Sequence, residues 1–305
     1  MSKPLQKNIN GIFLLDKPLN LTSNQALQRV KRLFSAKKAG HTGSLDPLAT
    51  GMLPICFGEA TKFSQFLLES DKTYQVTATL GIKTTTGDKE GAVVATRHVG
   101  EITSQQILTV LEKFKGDIQQ IPPMYSALKI DGRPLYELAR KGIEIERQAR
   151  TITIYHLTLV DMTLDSLKLD IHCSKGTYVR TLIEDIGEML GCGAHVSELR
   201  RGAVVPYESS TMYTLETLEK LLAESGHEAL EACMLPLETS VQAFPKVTLS
   251  TSAVFYIKMG QPVMSPNLPK QGLVRIYAND NLFLGVGEIT EDGRLAPRRL
   301  IQTLN

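Results

Sequence analysis

The chain of 305 residues lacks any long apolar run. Near its start the apolar stretch GIFLL, at 11–15, ends at Asp16 and is too short for the apolar core of a signal peptide. No later stretch approaches the roughly 20 apolar residues that a membrane-spanning helix needs. This argues against a secreted or membrane-embedded helical protein. With 42% hydrophobic and 22% charged residues, we expect an ordinary globular chain with one large domain or a large and a small one.

Cysteine and histidine are scarce and scattered. The sequence has no C-x-x-C pair, which argues against a zinc knuckle and against a disulfide framework. The six histidines show no ligand-like spacing, so we expect no metal site. Unpaired thiols fit a reducing compartment, and we expect the cytoplasm. The four cysteines are Cys56, Cys173, Cys192 and Cys233.

The glycine-rich stretch GHTGSLDPLATGML, at 40–53, lacks the motifs of small-molecule sites. It has neither the phosphate-binding pattern G-x-x-x-x-G-K-[ST] nor a dinucleotide-binding turn. It also lacks a second aspartate two residues after Asp46, as phosphoryl-transferring aspartate enzymes have. Pro47 biases Asp46 toward an extended conformation, and the glycines allow the backbone to approach a ligand closely. The simplest alternative is a turn in which Asp46 bonds its own backbone.

The net charge is only +2, yet basic side chains cluster in two stretches. RVKRLFSAKK, at 29–38, carries five basic side chains and no acid, directly before the glycine-rich stretch. KIDGRPLYELARKGIEIERQAR, at 129–150, has six basic side chains against four acids. Either patch alone is explained by a solvated helix face. Two patches, one of them beside a glycine-rich loop, indicate an anionic partner such as nucleic acid.

Residue periodicity predicts an α+β protein built on a central mixed or antiparallel sheet flanked by helices and loops. Period-two patterns predict strands, and helical spacing predicts helices, the first with a capping box from Thr22 to Gln25. The stretch 40–58 is predicted to be rich in loops. The predicted strands lie at 11–15, 72–84, 151–162, 166–176 and 195–205, and the predicted helices begin after Thr22 and lie at 58–69, 104–116 and 177–191.

The character of the sequence changes near Ala243 to Val247. Short strands around Asn279 and a turn at Asp292-Gly293 follow. They predict a compact β-barrel of about 60 residues, close to the lower size at which domains fold alone. We therefore divide the chain into residues 1–245 and 246–305.

Six segments of the chain, taken together and in this order, resemble a known family. They are LLDKPLNLTSNQAL, GHTGSLDPLATGMLPI, DKTYQVTATLGIKTTTGDKEG, IPPMYSALKIDGRPLYELARKG, CSKGTYVRTLIEDIG and HVSELRRGAV. They are similar to the motifs of the bacterial TruB family of tRNA pseudouridine synthases. The resemblance covers nearly the whole chain, and the tail is similar to the PUA RNA-binding barrel that ends these enzymes.

The resemblance implies isomerisation of uridine to pseudouridine at position 55 in the T loop of tRNA, without a cofactor or a metal. Asp46 would be the nucleophile on a flipped-out uridine, by attack on either the ribose or a ring carbon. Such catalysis needs an ionised carboxylate in a partly dry pocket, and a nearby cation would keep its pKa low. The resemblance assigns that cation to Arg180, paired with Asp46, and a guanidinium can match a carboxylate in two-pronged geometry.

The resemblance also implies a set of substrate contacts. Tyr74 would stack on the target base and take part in proton abstraction. Tyr178 would close the pocket near the base, and the main chain of Leu199 would meet the edge of the uracil. His41 would wedge into the T loop in place of the flipped nucleotides, which helps to offset the cost of unstacking them.

Further segments would support the site. Lys17 and Pro18 would buttress its floor, and residues 121–150 would form a thumb-like insertion over the RNA whose basic side chains contact phosphates. The implied partner is the T arm of tRNA, and we expect a monomer with no membrane association.

Two residues depart from the family pattern. Asn20 stands where the K-P motif commonly has glycine. Asparagine also tolerates left-handed geometry, so we expect little effect. Thr85 stands where an aspartate is common, and this departure weakens any role for its loop. Asp88 of the same stretch is retained.

Two other functions stay open. The basic patches and the barrel would suffice for a tRNA binder or a folding chaperone without catalysis, and a chaperone role could also accompany catalysis. An aspartate-nucleophile hydrolase of small substrates would need an acid–base partner or a metal, and the sequence offers neither.

Overall fold

A computed structural model of the chain describes residues 6–130 and 132–302. The ends of the two predicted domains, 1–5 and 303–305, and Asp131 of the predicted thumb therefore lie outside the described residues. The described residues form sixteen strands, seven α-helices and two 3-10 helices.

The strands and helices follow one another as expected for an α+β chain. The strands are β1 (Gly11–Lys17), β2 (Ala39–His41), β3 (Ala49–Phe57), β4 (Lys72–Leu80), β5 (Ile82–Thr84), β6 (Val93–Thr96), β7 (Gly116–Gln120), β8 (Lys129–Ile130), β9 (Arg133–Pro134), β10 (Arg150–Met162), β11 (Ser166–Cys173), β12 (Ala194–Val204), β13 (Lys246–Leu249), β14 (Gly272–Ala278), β15 (Phe283–Ile289) and β16 (Leu295–Leu300). The helices are α1 (Ser23–Leu33), α2 (Ser64–Leu68), α3 (Ser104–Glu112), α4 (Leu135–Ala139), α5 (Val179–Met189), α6 (Leu215–Ala232) and α7 (Thr251–Lys258), with 3-10 helices at Gly58–Phe63 and Leu237–Val241.

One eight-stranded sheet dominates the fold, in the order β1-β3-β12-β4-β11-β10-β7 with β2 paired to β3. β12 runs parallel to β3, and the other pairings are antiparallel. The sheet is therefore mixed, and the predicted fold class is confirmed. β4 and β11 bury alternate side chains, as their period-two patterns predict.

The helices begin where their capping residues predict. Thr22 and Gln25 form a reciprocal capping box at the start of α1, and Thr103 and Gln106 form another at α3. α1, α3, α5 and α6 contribute apolar side chains to the main core on one face of the sheet. On the other face a second apolar cluster lies between the β1–β3 pair and the segment that contains α2.

The predicted loop at 40–58 is wrong for most of its length. Residues 49–57 form β3, which pairs with β1 and with β2 and is buried on both faces. A strand buried on both faces shows no polar–apolar alternation. Its Gly51 and Pro54 therefore suggested a loop where the apolar run in fact forms a strand.

The C-terminal part contains a separate four-stranded sheet, in the order β13-β14-β15-β16. α7, which sequence analysis did not identify, packs with these strands around their own apolar core. Phe63 from the N-terminal part meets Tyr277 and Phe283 of this sheet in a shared apolar cluster. The second sheet thus rests on the N-terminal part of the chain through aromatic contacts.

Three further observations concern membrane-spanning helices, metal ligands and cysteines. Within the described residues no helix combines the length and the apolarity needed to cross a bilayer. In residues 6–130 and 132–302, no three His, Cys, Asp or Glu side chains gather as metal ligands would. The four cysteines are free thiols.

Candidate active site

A cleft of about 370 Å³ contains most of the predicted site residues. Residues 43–46 form one wall, and the start of α5 with the residues just before it forms another. The start of β4, the middle of β12, residues 126–127 and Leu68 at the end of α2 complete the lining. The structure places Asp46, Tyr74, Tyr178, Arg180 and Leu199 around this cleft.

The Asp46 carboxylate lies against the Arg180 guanidinium. Arg180 Nε is 3.1 Å from Asp46 Oδ2. The expected pairing is present but is not two-pronged, because the terminal nitrogens bind elsewhere. Nη1 donates to the carbonyl of Thr86 (2.8 Å) and lies 3.4 Å from Asp88 Oδ2, while Nη2 donates to the carbonyl of Tyr125 (2.7 Å). Arg180 is buried, so these contacts hold its orientation toward Asp46.

The expectation of a low pKa for Asp46 is wrong in sign. Although 41% of its side chain is exposed to the cleft, protein surrounds the carboxyl, and this burial raises its pKa. Arg180 acts in the opposite direction, Asp88 raises the pKa further, and Lys17 lowers it. Burial therefore outweighs the paired cation. The site holds an acid that ionises less readily than a surface aspartate and is a stronger base once ionised.

Asp88 belongs to the site although sequence analysis gave it no role. It is 3% exposed, and its Oδ1 accepts hydrogen bonds from the Thr86 hydroxyl (2.5 Å) and the Glu90 amide (3.1 Å). Its Oδ2 faces Arg180. One buried guanidinium is thus shared by two carboxylates. The available signal was that this aspartate is retained in a stretch in which Thr85 departs from the family pattern.

Tyr74 of β4 and Arg201 of β12 also line the cleft. Burial raises the pKa of the Tyr74 phenol, although the positive charge of Arg201 acts in the opposite direction. Arg201 is 1% exposed and donates to the carbonyls of Met52 (2.6 Å) and Gly43 (2.9 Å). Sequence analysis missed Arg201. Two successive arginines in a strand point to opposite faces, so one of the pair had to point inward.

Leu199 and Arg201 reach the cleft because β12 approaches β3 very closely. Gly51 of β3 has φ +101°, and a Cβ there would lie 2.2 Å from the Arg201 carbonyl oxygen. Only glycine allows this parallel contact. The register pairs Leu199 with Ala49, which sets Leu199 beside the Asp46 loop.

His41 lies in β2, beside the loop but outside the residues that line the cleft. Burial lowers its pKa, and Arg201 lowers it further, so the ring is neutral at neutral pH. Among the described residues its Nδ1 has no hydrogen-bond partner. His41 is therefore a neutral imidazole with a buried Nδ1 that lacks a partner among the described residues, two residues before Gly43 of the cleft lining.

Lys17 lies beneath the site, fully buried. Its ammonium donates to the carbonyls of Pro18 (2.8 Å) and Leu21 (2.6 Å). Burial lowers its pKa to about 8, against the opposing effect of Asp46. Asn20 inside this turn has φ +64°, so asparagine does adopt the left-handed geometry expected of it. Lys17 thus closes a turn and carries a positive charge toward Asp46.

The two basic stretches are exposed at the surface. Arg29 and Arg32 project from α1, and Lys37 and Lys38 follow it. Within the described residues none of these four forms a salt bridge. In the predicted thumb the exposed basic residues are Lys129, Arg133, Arg140, Lys141 and Arg150.

Comparison with known proteins agrees with these features. The family description "TruB family pseudouridylate synthase (N terminal domain)" matches residues 31–179. Residues 180–242 match "tRNA pseudouridylate synthase B C-terminal domain", and residues 245–301 match "Pseudouridine synthase II TruB, C-terminal". Together the three matches run from residue 31 to residue 301, with only residues 243–244 between them unmatched.

Similar proteins support the same assignment. The chain is 55% identical over 300 residues to a tRNA pseudouridine synthase B of Coxiella burnetii (strain RSA 493 / Nine Mile phase I), covering 98% of this chain and 97% of that one. It is 55% identical over 310 residues to one of Yersinia pestis (strain Pestoides F), covering 99% and 95%.

Among solved structures, the fold resembles a chain of a Cbf5-Nop10-Gar1 complex, with a TM-score of 0.73 and 27% identity over 96% of this chain and 84% of that one. A chain of an H/ACA RNP bound to a substrate RNA containing 2'-deoxyuridine also has a TM-score of 0.73, with 25% identity over 96% and 85%. With family descriptions matched along its length and relatives at more than half identity, the chain belongs to the TruB family of pseudouridylate synthases.

Proposed function

We propose that this protein converts uridine to pseudouridine at position 55 in the T loop of tRNA. The family assignment supports this proposal. The observation that carries it is the Asp46 carboxylate, which lies against Arg180 inside the cleft. The curated relatives are named tRNA pseudouridine synthase B. Only one carboxylate, that of Asp46, lines the cleft among the described residues. This favours a nucleophile over a pair of acid–base carboxylates.

In the proposed reaction the ionised Asp46 attacks either the ribose C1′ or the uracil C6. In the ribose route the glycosidic C1′–N1 bond breaks as Asp46 bonds to C1′, the uracil turns, and its C5 then displaces Asp46 from C1′. In the ring route Asp46 adds to C6, the glycosidic bond breaks, the uracil turns, C5 bonds to C1′, and the bond between Asp46 and C6 breaks as the C5 proton leaves. In both routes C5 loses its proton to water or a base, and N1 takes up a proton. Uridine and pseudouridine are isomers, so the sequence balances without an oxidant, a reductant or a second substrate. The raised basicity of Asp46 favours attack once the carboxylate is formed.

The remaining wall suits an uncharged, planar base. Tyr74 offers an aromatic face, and a neutral phenol at neutral pH because its pKa is raised by burial. Leu199 is buried in the wall and belongs to β12, whose main chain can meet the uracil edge. Tyr178 at the start of α5 lines the mouth of the cleft. Together they would hold the ring while it is detached.

Recognition of the RNA would extend beyond the cleft. A uridine within a folded loop must be flipped out, at a cost of a few kcal/mol, and the neutral His41 ring is available to fill the vacated space. The exposed basic side chains of 29–38 and of the thumb, residues 121–150, would bind phosphates. We also propose that residues 246–305 act as a PUA-like RNA-binding unit, and that the protein works as a monomer.

A single assay tests the proposal. The protein is incubated with a T-arm stem-loop transcript, and pseudouridine is mapped by primer extension after carbodiimide treatment. A stop at the position equivalent to 55, absent from a transcript with cytidine there, is the expected result. RNA binding without any stop would leave a binding or chaperone role. Hydrolysis of a small ester without reaction on RNA would revive the hydrolase alternative.

A further inference from the structure

Gln120 joins the root of the thumb to the start of α5 through both polar atoms of its side chain. It is the last residue of β7 and is 3% exposed. Its Nε2 donates to the carbonyl of Tyr178 (3.1 Å), and the amide of Tyr178 donates to its Oε1 (2.8 Å). The side chain therefore pairs with the main chain of Tyr178 as a neighbouring strand would.

This pairing requires a carboxamide of this length. One donor and one acceptor must face the N–H and C=O of the same residue, and asparagine and glutamine provide both at every pH without a charge, whereas an aspartate or glutamate does so only when it is protonated. Asparagine is shorter by one methylene. The chain cannot supply a main-chain substitute, because Pro122 and Pro123 follow almost at once and have no N–H for a continued ladder.

The contact fixes the place where two site residues are presented. Tyr178 is the N-cap residue of α5 and makes no side-chain capping bond of its own. Tyr178 lines the cleft, and Arg180 follows in the first turn of the helix. A second bond, from Arg180 Nη2 to the carbonyl of Tyr125, ties the same segment to the same helix start. Residues 120–125 thus hold α5 at two points.

We propose that Gln120 is a positioning residue that sets the main chain of Tyr178, and through it the placement of Tyr178 and Arg180 in the cleft. It does so from the root of the thumb, so that the segment expected to fold over the RNA and the helix that carries Arg180 form one unit. The catalytic part of this inference rests on the proposed function. The structural part concerns the free protein and can be tested without RNA.

The experiment compares three variants with the wild type. Gln120→Met keeps the shape and removes both hydrogen bonds. Gln120→Glu keeps the acceptor for the Tyr178 amide, loses the donor to its carbonyl, and regains a donor when protonated. Gln119→Met is the matched control, because Gln119 lies next to Gln120 on β7, is exposed, and bonds Thr151 instead (2.8 Å).

Each variant is measured in two ways. The nine tyrosines are labelled with 3-fluorotyrosine, and the fluorine signal of Tyr178 is assigned from its loss in Tyr178→Phe. Single-turnover pseudouridine formation and affinity are then measured on the T-arm stem-loop. Misplacement of a catalytic group by about 1 Å can cost on the order of a hundredfold in rate. We expect a loss of about tenfold to a hundredfold for Gln120→Met, with affinity within about threefold of the wild type.

For Gln120→Met the fluorine spectrum is expected to change at Tyr178 and to keep its other signals. Gln119→Met should match the wild type in both measurements. As pH falls, Gln120→Glu should regain the wild-type Tyr178 signal, because the protonated carboxyl donates again. An unmoved Tyr178 signal in Gln120→Met overturns the inference, whatever the activity. A change in most tyrosine signals also overturns it, since Gln120 would then support the whole fold. If the wild type makes no pseudouridine, the proposed function fails, while the spectra still decide the positioning role.

Discussion

Replacing Asp88 by asparagine should change the reaction in two separable ways. Asp88 and Asp46 share the Arg180 guanidinium, with contacts of 3.4 and 3.1 Å. The variant removes one negative charge near Asp46 and keeps a side chain of the same size. The hydrogen bonds that the Asp88 side chain accepts from Thr86 and Glu90 can be kept by the amide oxygen.

The first expected effect is on the pH profile. Asp46 must be ionised to act, so the rate falls as pH drops through its pKa in the folded protein. Asp88 raises that pKa, and its neutralisation therefore moves the acid limb to lower pH. Because the two carboxylates contact two nitrogens of one guanidinium, they lie within about 9 Å of each other, where two unit charges interact by about 2 kcal/mol or more at an effective dielectric of about 20. Solvent over the exposed part of Asp46 screens this, which leaves a shift of about one pH unit.

The second expected effect is on the plateau rate. In Asp88→Asn, Arg180 Nη1 keeps its hydrogen bond to the Thr86 carbonyl and loses its ionic contact with position 88, which is long at 3.4 Å. The lower end of the range for hydrogen bonds to charged groups, about 1.5 kcal/mol, then applies, and the plateau falls about tenfold. The assay is release of tritium from uracil C5 under single-turnover conditions, since pseudouridine formation expels that hydrogen.

Asp170→Asn is the control for this prediction, because Asp170 bonds Gln75 on the sheet surface and does not line the cleft. It should change neither the limb nor the plateau. An acid limb that stays in place or moves to higher pH in Asp88→Asn would refute the electrostatic reasoning, even if the plateau falls.

Three other outcomes are expected. Arg180→Lys offers one ammonium to the four acceptors that the guanidinium now contacts. Because breaking a buried ion pair costs about 3–5 kcal/mol, the rate should fall by at least about a hundredfold, and the acid limb of the pH–rate profile should move to higher pH. Near-normal turnover would contradict this. Affinity for the T-arm stem-loop should fall as salt rises, and Lys37→Gln with Lys38→Gln should reduce the log–log slope by about two; an unchanged slope would remove these lysines from the phosphate contacts. Asp46→Asn should be at least as stable to urea as the wild type at pH 7. A carboxyl whose pKa is raised on folding destabilises the folded protein as pH rises from its unfolded to its folded pKa, and the amide removes that cost. Any advantage of the variant should vanish at acidic pH, and a large loss of stability at pH 7 would show that the ionised form supports the fold.

Much of the fold was predictable because local patterns and tertiary packing agree. In β4 and β11 one face is buried and the other faces solvent, so the period of two is visible in the sequence. The capping box at Thr22 is a short-range interaction between neighbours in the chain. β3 was missed because a strand between β1 and β12, with side chains buried on both faces, has no such period.

The site was predictable only in part. The resemblance identified Asp46 and Arg180 as partners, and the structure brings them together. Arg201 and Gln120 were not found, since their partners Gly43 and Tyr178 lie 158 and 58 residues away along the chain. The expected direction of the Asp46 pKa shift was wrong for a related reason. Charge partners can be named from sequence motifs, whereas burial depends on how the whole sheet packs.

The central claim is that Asp46 attacks the flipped uridine. Its most direct test is single-turnover pseudouridine formation by Asp46→Asn beside the wild type, with affinity for the same T-arm stem-loop measured in parallel. We expect no pseudouridine above the enzyme-free background and an affinity within about threefold of the wild type, because the charge removed makes no phosphate contact. Conversion by Asp46→Asn at the wild-type rate would contradict the claim.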